Sequence, residues 1–186
     1  HIVSIVAEDN AGNRGKISII VVVDMSAPIV EFSVLNATYH ADSWYVNEEN
    51  ITIHLNISDL SYENATIVIY NDTWSQEYHT DGYNICIELA EGEYEINITV
   101  YDKFGNRGET RGKIIVDLTL PSITITAPEN NTVIYETSIS ISWTASDNFG
   151  ILYCHIKLDS GGWIDVTNQT SYTFSDLSLG SHVVYI

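Results

Sequence analysis

Cations are scarce in this chain. Of its 186 residues only 7 are Lys or Arg, against 25 Asp or Glu, leaving a formal net charge of −18. Nucleic-acid binding needs clustered cations that release counterions from phosphate, and seven scattered ones form no such patch. Nucleic acid is thereby excluded as a partner, and an anionic membrane surface is disfavoured for the same reason. Long apolar runs are lacking too. The longest, Ile17 to Val23, is broken by Ser18 and falls far short of the roughly 20 residues of a membrane-spanning helix. No membrane insertion is expected of this segment. The two cysteines, Cys86 and Cys154, form no disulfide framework and have no metal-ligand spacing. They fall in different repeats, as set out below, and are expected to be free thiols. No Gly-x-Ser-x-Gly elbow, Walker loop or His-Glu-x-x-His is present, and the six histidines lack ligand spacing. Neither an enzyme nor an organic cofactor is expected.

What is present points to strands. Hydrophobic residues make up 45% of the chain and charged ones 17%, with 12 Tyr and only 3 Pro, so a packed core is within reach and global disorder is not expected. The class is all-β. Asn-x-Ser/Thr occurs at Asn36, Asn50, Asn56, Asn64, Asn71, Asn97, Asn130 and Asn168, which is 8 of the 15 asparagines. Chance would place about two to three. Glycosylation at these positions requires an exported chain whose sequons face water. The expected location is extracellular, at the cell surface. The plainer alternative is that Asn and Thr recur on the wet faces of strands and in turns.

An internal repeat is the strongest signal. Val3-Ser4-Ile5-Val6-Ala7-Glu8-Asp9-Asn10-Ala11-Gly12-Asn13-Arg14-Gly15 matches Ile96-Asn97-Ile98-Thr99-Val100-Tyr101-Asp102-Lys103-Phe104-Gly105-Asn106-Arg107-Gly108 at an ungapped offset of 93. The match runs on through Val23-Asp24 onto Val116-Asp117 and Pro28 onto Pro121. A second offset, 88, joins Ile53–Asp59 to Ile141–Asp147, Leu89 to Leu177, Gly92 to Gly180 and Tyr94 to His182. Repeats therefore start after Asp24 and after Asp117. Residues 1–24 read as the last two strands of one unit, 25–117 as a complete unit, and 118–186 as a unit truncated before its final strand. The chain reads as a window on a longer array. The alternative is that its N-terminal hairpin completes an identical subunit by strand addition.

Turn signals recur at about 8–12-residue spacing, as in a sandwich or barrel. The pattern predicts strands near 28–34, 50–57, 64–70, 83–89, 93–101 and 109–117, with a further one near 43–46 or 73–79. Tyr94, Ile96, Ile98 and Val100 alternate with Glu95, Asn97 and Thr99, one face dry and one wet. Trp143 shares the phase of Ile139 and Ile141 and is expected in a core. Ile17 to Val23 is apolar on both phases, so burial against another part of its own unit or a neighbouring surface is expected. Asp-x-x-Gly-Asn at Asp9–Asn13 and Asp102–Asn106 is hairpin-turn chemistry. Gly92-Glu93-Tyr94 reads as a corner where a Tyr hydroxyl reaches a nearby backbone group. Its counterpart, Gly180 and His182, lacks the hydroxyl.

These motifs resemble the immunoglobulin-like, PKD-like tandem repeats of bacterial and archaeal cell-surface proteins. The resemblance rests on Gly92 to Asn106, Val116 to Ile123, Pro128 to Asn131, Trp143 to Asn148 and Leu158 to Trp163, and is most like archaeal surface-layer or appendage repeats. It implies tandem immunoglobulin-like β-sandwich domains with a structural or spacer role, able to assemble into a surface layer or filament. Its partners would be neighbouring repeats, identical subunits or glycans. An adhesin, a carbohydrate-binding module or the spacer of a secreted hydrolase is the alternative, since fold does not choose among them.

Two kinds of site remain. Asp24 and Asp117 close successive units and Asp102 sits at a loop, as do Asp9, Asp59 and Asp147. A hard cation such as calcium wants several such oxygens converging, against the plainer role of capping turns. Trp44, Trp74 and Trp163 are the candidate aromatic platforms for a sugar, against ordinary packing.

Overall fold

The computed structural model describes residues 1–186. It is all β, and no helix is long and apolar enough to cross a membrane. The chain divides into two compact units, His1–Val116 and Asp117–Ile186. Unit 1 carries β1 (Ile2–Glu8), β2 (Arg14–Ile20), β3 (Ile29–Val34), β4 (Thr38–His40), β5 (Ser43–Val46), β6 (Asn50–Ser58), β7 (Tyr62–Tyr70), β8 (Ser75–Thr80), β9 (Asn84–Glu88), β10 (Gly92–Asp102) and β11 (Arg107–Val116). Both sequence alternatives for the additional strand, 43–46 and 73–79, are therefore realised, as β5 and β8. The short β4 pairs only with β5.

A three-stranded sheet, β3-β6-β9, and a six-stranded sheet, β4-β5-β11-β10-β7-β8, share one core. Strict alternation explains it. Ile51, Ile53 and Leu55 of β6 are buried from one sheet, and Tyr94, Ile96, Ile98 and Val100 of β10 from the other. Full burial of one such Ile contributes about 1.5–3 kcal/mol. Pairing is antiparallel except where β5 runs parallel to β11, with Trp44 opposite Ile114. At the corner before β10 the Tyr94 hydroxyl donates to the Ala90 carbonyl at 3.0 Å.

Two glycines bring β11 close to β3. A side chain at Gly108 would strike the carbonyl oxygen of Pro28, and one at Gly112 would meet the Phe32 ring. Only a bare backbone fits there.

β1 and β2 pair with each other and with no other strand, and every residue in them is exposed. Their register repeats that of β10 and β11. Val3 faces Ile19 as Ile96 faces Gly112, and Glu8 faces Arg14 as Tyr101 faces Arg107. The turns match as well. Asp9 Oδ1 accepts the amides of Ala11 and Asn13, and Asp102 Oδ1 those of Phe104 and Asn106. Gly12 and Gly105 take φ of +86° and +83°, the left-handed conformation the turn requires.

Unit 2 contains β12 (Ser122–Ala127), β13 (Ile139–Ser146), β14 (His155–Leu158), β15 (Ile164–Asp165), β16 (Ser171–Phe174) and β17 (Val184–Tyr185). Its sheets are β12-β13-β16 and β15-β14-β17. By the offsets of 93 and 88 these are the counterparts of β3-β6-β9 and β8-β7-β10, strand for strand. Nothing in unit 2 corresponds to β11 or β5. Its core is smaller, formed by Ile141, Trp143, Ile156, Val166 and Phe174. Trp143 is buried, as its phase predicts.

Candidate functional site

In unit 1 the backbone brings three carboxylates together. Asp24 lies between β2 and β3, Asp59 follows the end of β6, and Asp102 ends β10. Their carboxylate oxygens lie within 4.8 Å of one another. Sequence reading put forward Asp24, Asp117 and Asp102 as the calcium candidates and named Asp59, Asp9 and Asp147 as further loop aspartates. The structure joins Asp24 and Asp102 to Asp59, whereas Asp117 lies in unit 2.

The local chemistry is unusual for turn caps alone. Asp102 is 1% exposed. Burial opposes its charge, yet the Asn106 side chain and amide, the Phe104 amide and Ser61 outweigh that and hold the carboxyl below the usual aspartate range. Ser61 Oγ lies 2.8 Å from Asp24 Oδ2, 2.9 Å from Asp59 Oδ1 and 3.5 Å from Asp102 Oδ2. It has a single proton to give to three acceptors. Asn106 Nδ2 lies 2.8 Å from Asp102 Oδ2 and 3.3 Å from the Asp24 carbonyl, which ties the connecting segment to the β10–β11 turn. Three aspartates and a hydroxyl are an all-oxygen donor set, the kind calcium takes, with water completing six to eight ligands. A cation there would offset the repulsion of three crowded negative groups.

Unit 2 holds a cavity of about 650 Å³ whose lining includes Asp117, Ile123, Asp147, Tyr153, Trp163 and Ile186. One Asp147 carboxylate oxygen, Oδ2, is buried with no hydrogen-bond partner. The counterpart of the Tyr94 corner is met by His182. Its Nε2 lies 2.9 Å from the Ser178 carbonyl, four residues upstream just as Ala90 is from Tyr94, and its Nδ1 lies 2.7 Å from Asp159 Oδ2. An imidazole N–H replaces the phenol O–H, so the missing hydroxyl does not open the corner. The Asp159 hydrogen bond, then the Ser178 carbonyl, raise the imidazole above the ordinary histidine value. The same bond, with the Val183 amide, lowers Asp159. The offset of 88 aligned His182 with Tyr94, so the sequence carried the position but not the replacement chemistry.

The aromatic candidates separate. Trp44 is half-buried and packs on Phe32 and Tyr39 at the edge of the core. Trp74 stands edge-on to Tyr94. Trp163 is 57% exposed, under the Lys157 ammonium. The sequons separate too. Asn36, Asn50, Asn56, Asn130 and Asn168 are exposed, whereas Asn64, Asn71 and Asn97 are half-buried. Asn71 Oδ1 accepts the amides of Thr73 and Trp74. Asn97, on the polar face of the central strand as expected, has its Oδ1 buried and unpartnered. Cys86 and Cys154 are both free thiols, one in each unit.

Residues 121–186 match the family of bacterial Ig domains. That agrees with the two-layered strand plan of unit 2. Among solved structures, fibronectin(III)-like modules of Clostridium thermocellum CbhA are similar at 20% identity over 83% of each chain, with a TM-score of 0.48. A 1.5-MDa bacterial ice-binding adhesin is similar at 14% identity, TM-score 0.34, over 92% of this chain and 61% of that one. The Bacteroides ovatus mixed-linkage glucan utilization locus SGBP-B, solved with a mixed-linkage heptasaccharide, is similar at 16% identity, TM-score 0.34, over 86% of this chain and 43% of that one. No curated protein matches. The chain is all-β, with two sheets in each unit, and residues 121–186 are immunoglobulin-like.

Proposed function

We propose that this chain is an extracellular structural repeat of a cell-surface protein, a glycosylated spacer with no catalytic role, whose unit 1 is braced by a calcium ion among Asp24, Asp59 and Asp102. The observation that carries the structural reading is recurrence. One strand plan serves both units, and one Asp-x-x-Gly-Asn hairpin occurs twice in the same register. A module repeated along a chain sets length and spacing. The sequon excess and the negative charge suit a hydrated outer surface, and residues 1–24 are read as the closing hairpin of another such module. Archaeal surface layers and filaments are the setting this reading favours. Antibody against the folded repeat should label intact source cells, and external protease should remove that label. Labelling only after lysis would refute the location.

A second reading, a sugar-binding role, is favoured by one feature. Trp163 and Tyr153, 57% and 65% exposed, border the unit 2 cavity, and exposed aromatic faces of this kind stack on sugar rings. Retention on a glycan array that disappears in Trp163→Ala would support it, and an array without retention would remove it.

A further inference from the structure

We infer that the outer face of the sheet β15-β14-β17 binds an acidic sugar, one whose ring carries a carboxylate, with Lys157 as its charge partner and Trp163 as its stacking platform. The inference rests on the sugar-binding reading given above and adds the class of sugar. Residues 117–186 contain one Lys or Arg, Lys157, against seven Asp or Glu. Its ammonium makes no ion pair with any of the seven. It lies instead over two rings, 4.6 Å from the Trp163 centroid and 4.6 Å from that of Tyr185, well inside the reach of a cation–π attraction. Both rings are exposed.

Strand register builds this row. Ile156 of β14 is fully buried, so alternation turns His155 and Lys157 outward. Tyr185 is paired directly with Lys157 on one side. On the other, His155 faces Asp165 and Ile156 faces Ile164, and the same register brings Trp163 beside Lys157. Directly opposed side chains in an antiparallel pair start about 4.5–5.5 Å apart at Cβ, which sets a ring on either flank of the cation. The fold does not require such a row. Its equivalent in unit 1 is Glu77, Val68 and Asn97, with neither ring nor cation. Tyr153 extends the aromatic surface, its ring 5.1 Å from that of His155.

The chemistry selects an acid. An ammonium has three N–H donors, and here the protein supplies ring faces but no oxygen to accept them. A carboxylate accepts such a donor in a charge-assisted bond roughly twice as strong as a neutral one, while the apolar C–H face of a pyranose stacks on the exposed indole. A sugar with both features uses both groups. Two carboxylates lie close by on these strands, and each is already engaged. Asp165 Oδ1 accepts the Thr167 amide, and Asp159 holds His182 and the Val183 amide. The −18 charge of the chain repels an anion at a distance. At about 0.15 M salt that repulsion is screened beyond roughly 8 Å, so the local donors decide.

Isothermal titration of the 186-residue chain at that ionic strength tests this, with chelator present so that no calcium bridges the sugar to the aspartates of unit 1. Oligomers of galacturonate and of mannuronate are each compared with the same oligomer methyl-esterified at its carboxyls. At least one acid should bind tenfold or more tightly than its ester. Lys157→Gln should remove that preference and Lys157→Arg should keep most of it, both with the melting profile unchanged. Trp163→Ala should weaken acid and ester alike. Equal binding of acid and ester overturns the inference and leaves the sugar-binding reading standing, as does an acid preference that survives Lys157→Gln. Binding of no acid also overturns the inference, and retention of neutral sugars on the glycan array then decides the reading beneath it.

Discussion

At the residue scale, the two corners show how one structural task is met by different chemistry with different pH behaviour. Tyr94 serves unit 1 with a hydroxyl that donates at any physiological pH. His182 serves unit 2 between a carboxylate and a carbonyl, both acceptors, so its doubly protonated form is the one the site holds. Its pKa is raised on folding. The stabilisation is therefore fully present below the unfolded histidine value, about 6.5, and is lost as pH rises through the folded value. Asp159 is lowered, so its share is present above the ordinary aspartate value and lost as pH falls through the lowered one. Unit 2 should melt highest in mildly acidic solution, with stability declining on either side. In His182→Tyr the alkaline decline should vanish in a pH series of thermal melts. Burial also ranks the sequons. Glycopeptide mass spectrometry of the native protein should find Asn36, Asn50, Asn56, Asn130 and Asn168 occupied and Asn97 bare, since its amide is wedged into the central strand's outer face.

At the element scale, the long central strands were legible and the short edges were not. β6 and β10 carry unbroken alternation, so their buried faces follow from sequence, and Trp143 follows from phase in the same way. β4 has three residues, Thr38–His40, too few for a period, and exists because β5 offers it an edge. The carboxylate cluster was half legible. Asp24 stands at a repeat boundary and Asp102 at a repeated turn, both visible in the alignment, but their meeting with Asp59 depends on how the β6–β7 turn folds back, which no spacing along the chain reports. Gly15 and Gly108 look identical in sequence and differ in what presses on them. Gly108→Val should cost on the order of 1–3 kcal/mol in chemical denaturation, by overpacking against Pro28. Gly15→Val, where nothing lies within 4 Å of an added Cβ, should stay within about 0.5 kcal/mol of the parent chain, as surface changes do.

At the scale of the whole molecule, the two units have unequal cores. Unit 1 buries side chains from both sheets along the length of β6 and β10, whereas unit 2 buries five. A smaller core gives less margin over conformational entropy. Calorimetry should resolve two transitions, the lower from unit 2, with Trp143 fluorescence changing in that one. Calcium should raise only the upper transition, because Asp24, Asp59 and Asp102 all belong to unit 1. Asp59→Asn should diminish that shift, and identical melts in calcium and in chelator would dismiss the metal reading.

The close approach of Pro28 to Gly108 and of Phe32 to Gly112 means that β3 and β11 run in the same direction within unit 1. Where the polypeptide enters is therefore opposite to where it leaves, and tension on the two ends pulls along the strands. The ladder bonds, set across that line, must then slide together rather than peel in turn. A unit wired this way is a tether that yields late and all at once. Stretched in optical tweezers, it should show one abrupt lengthening per unit 1 rather than a gradual ramp.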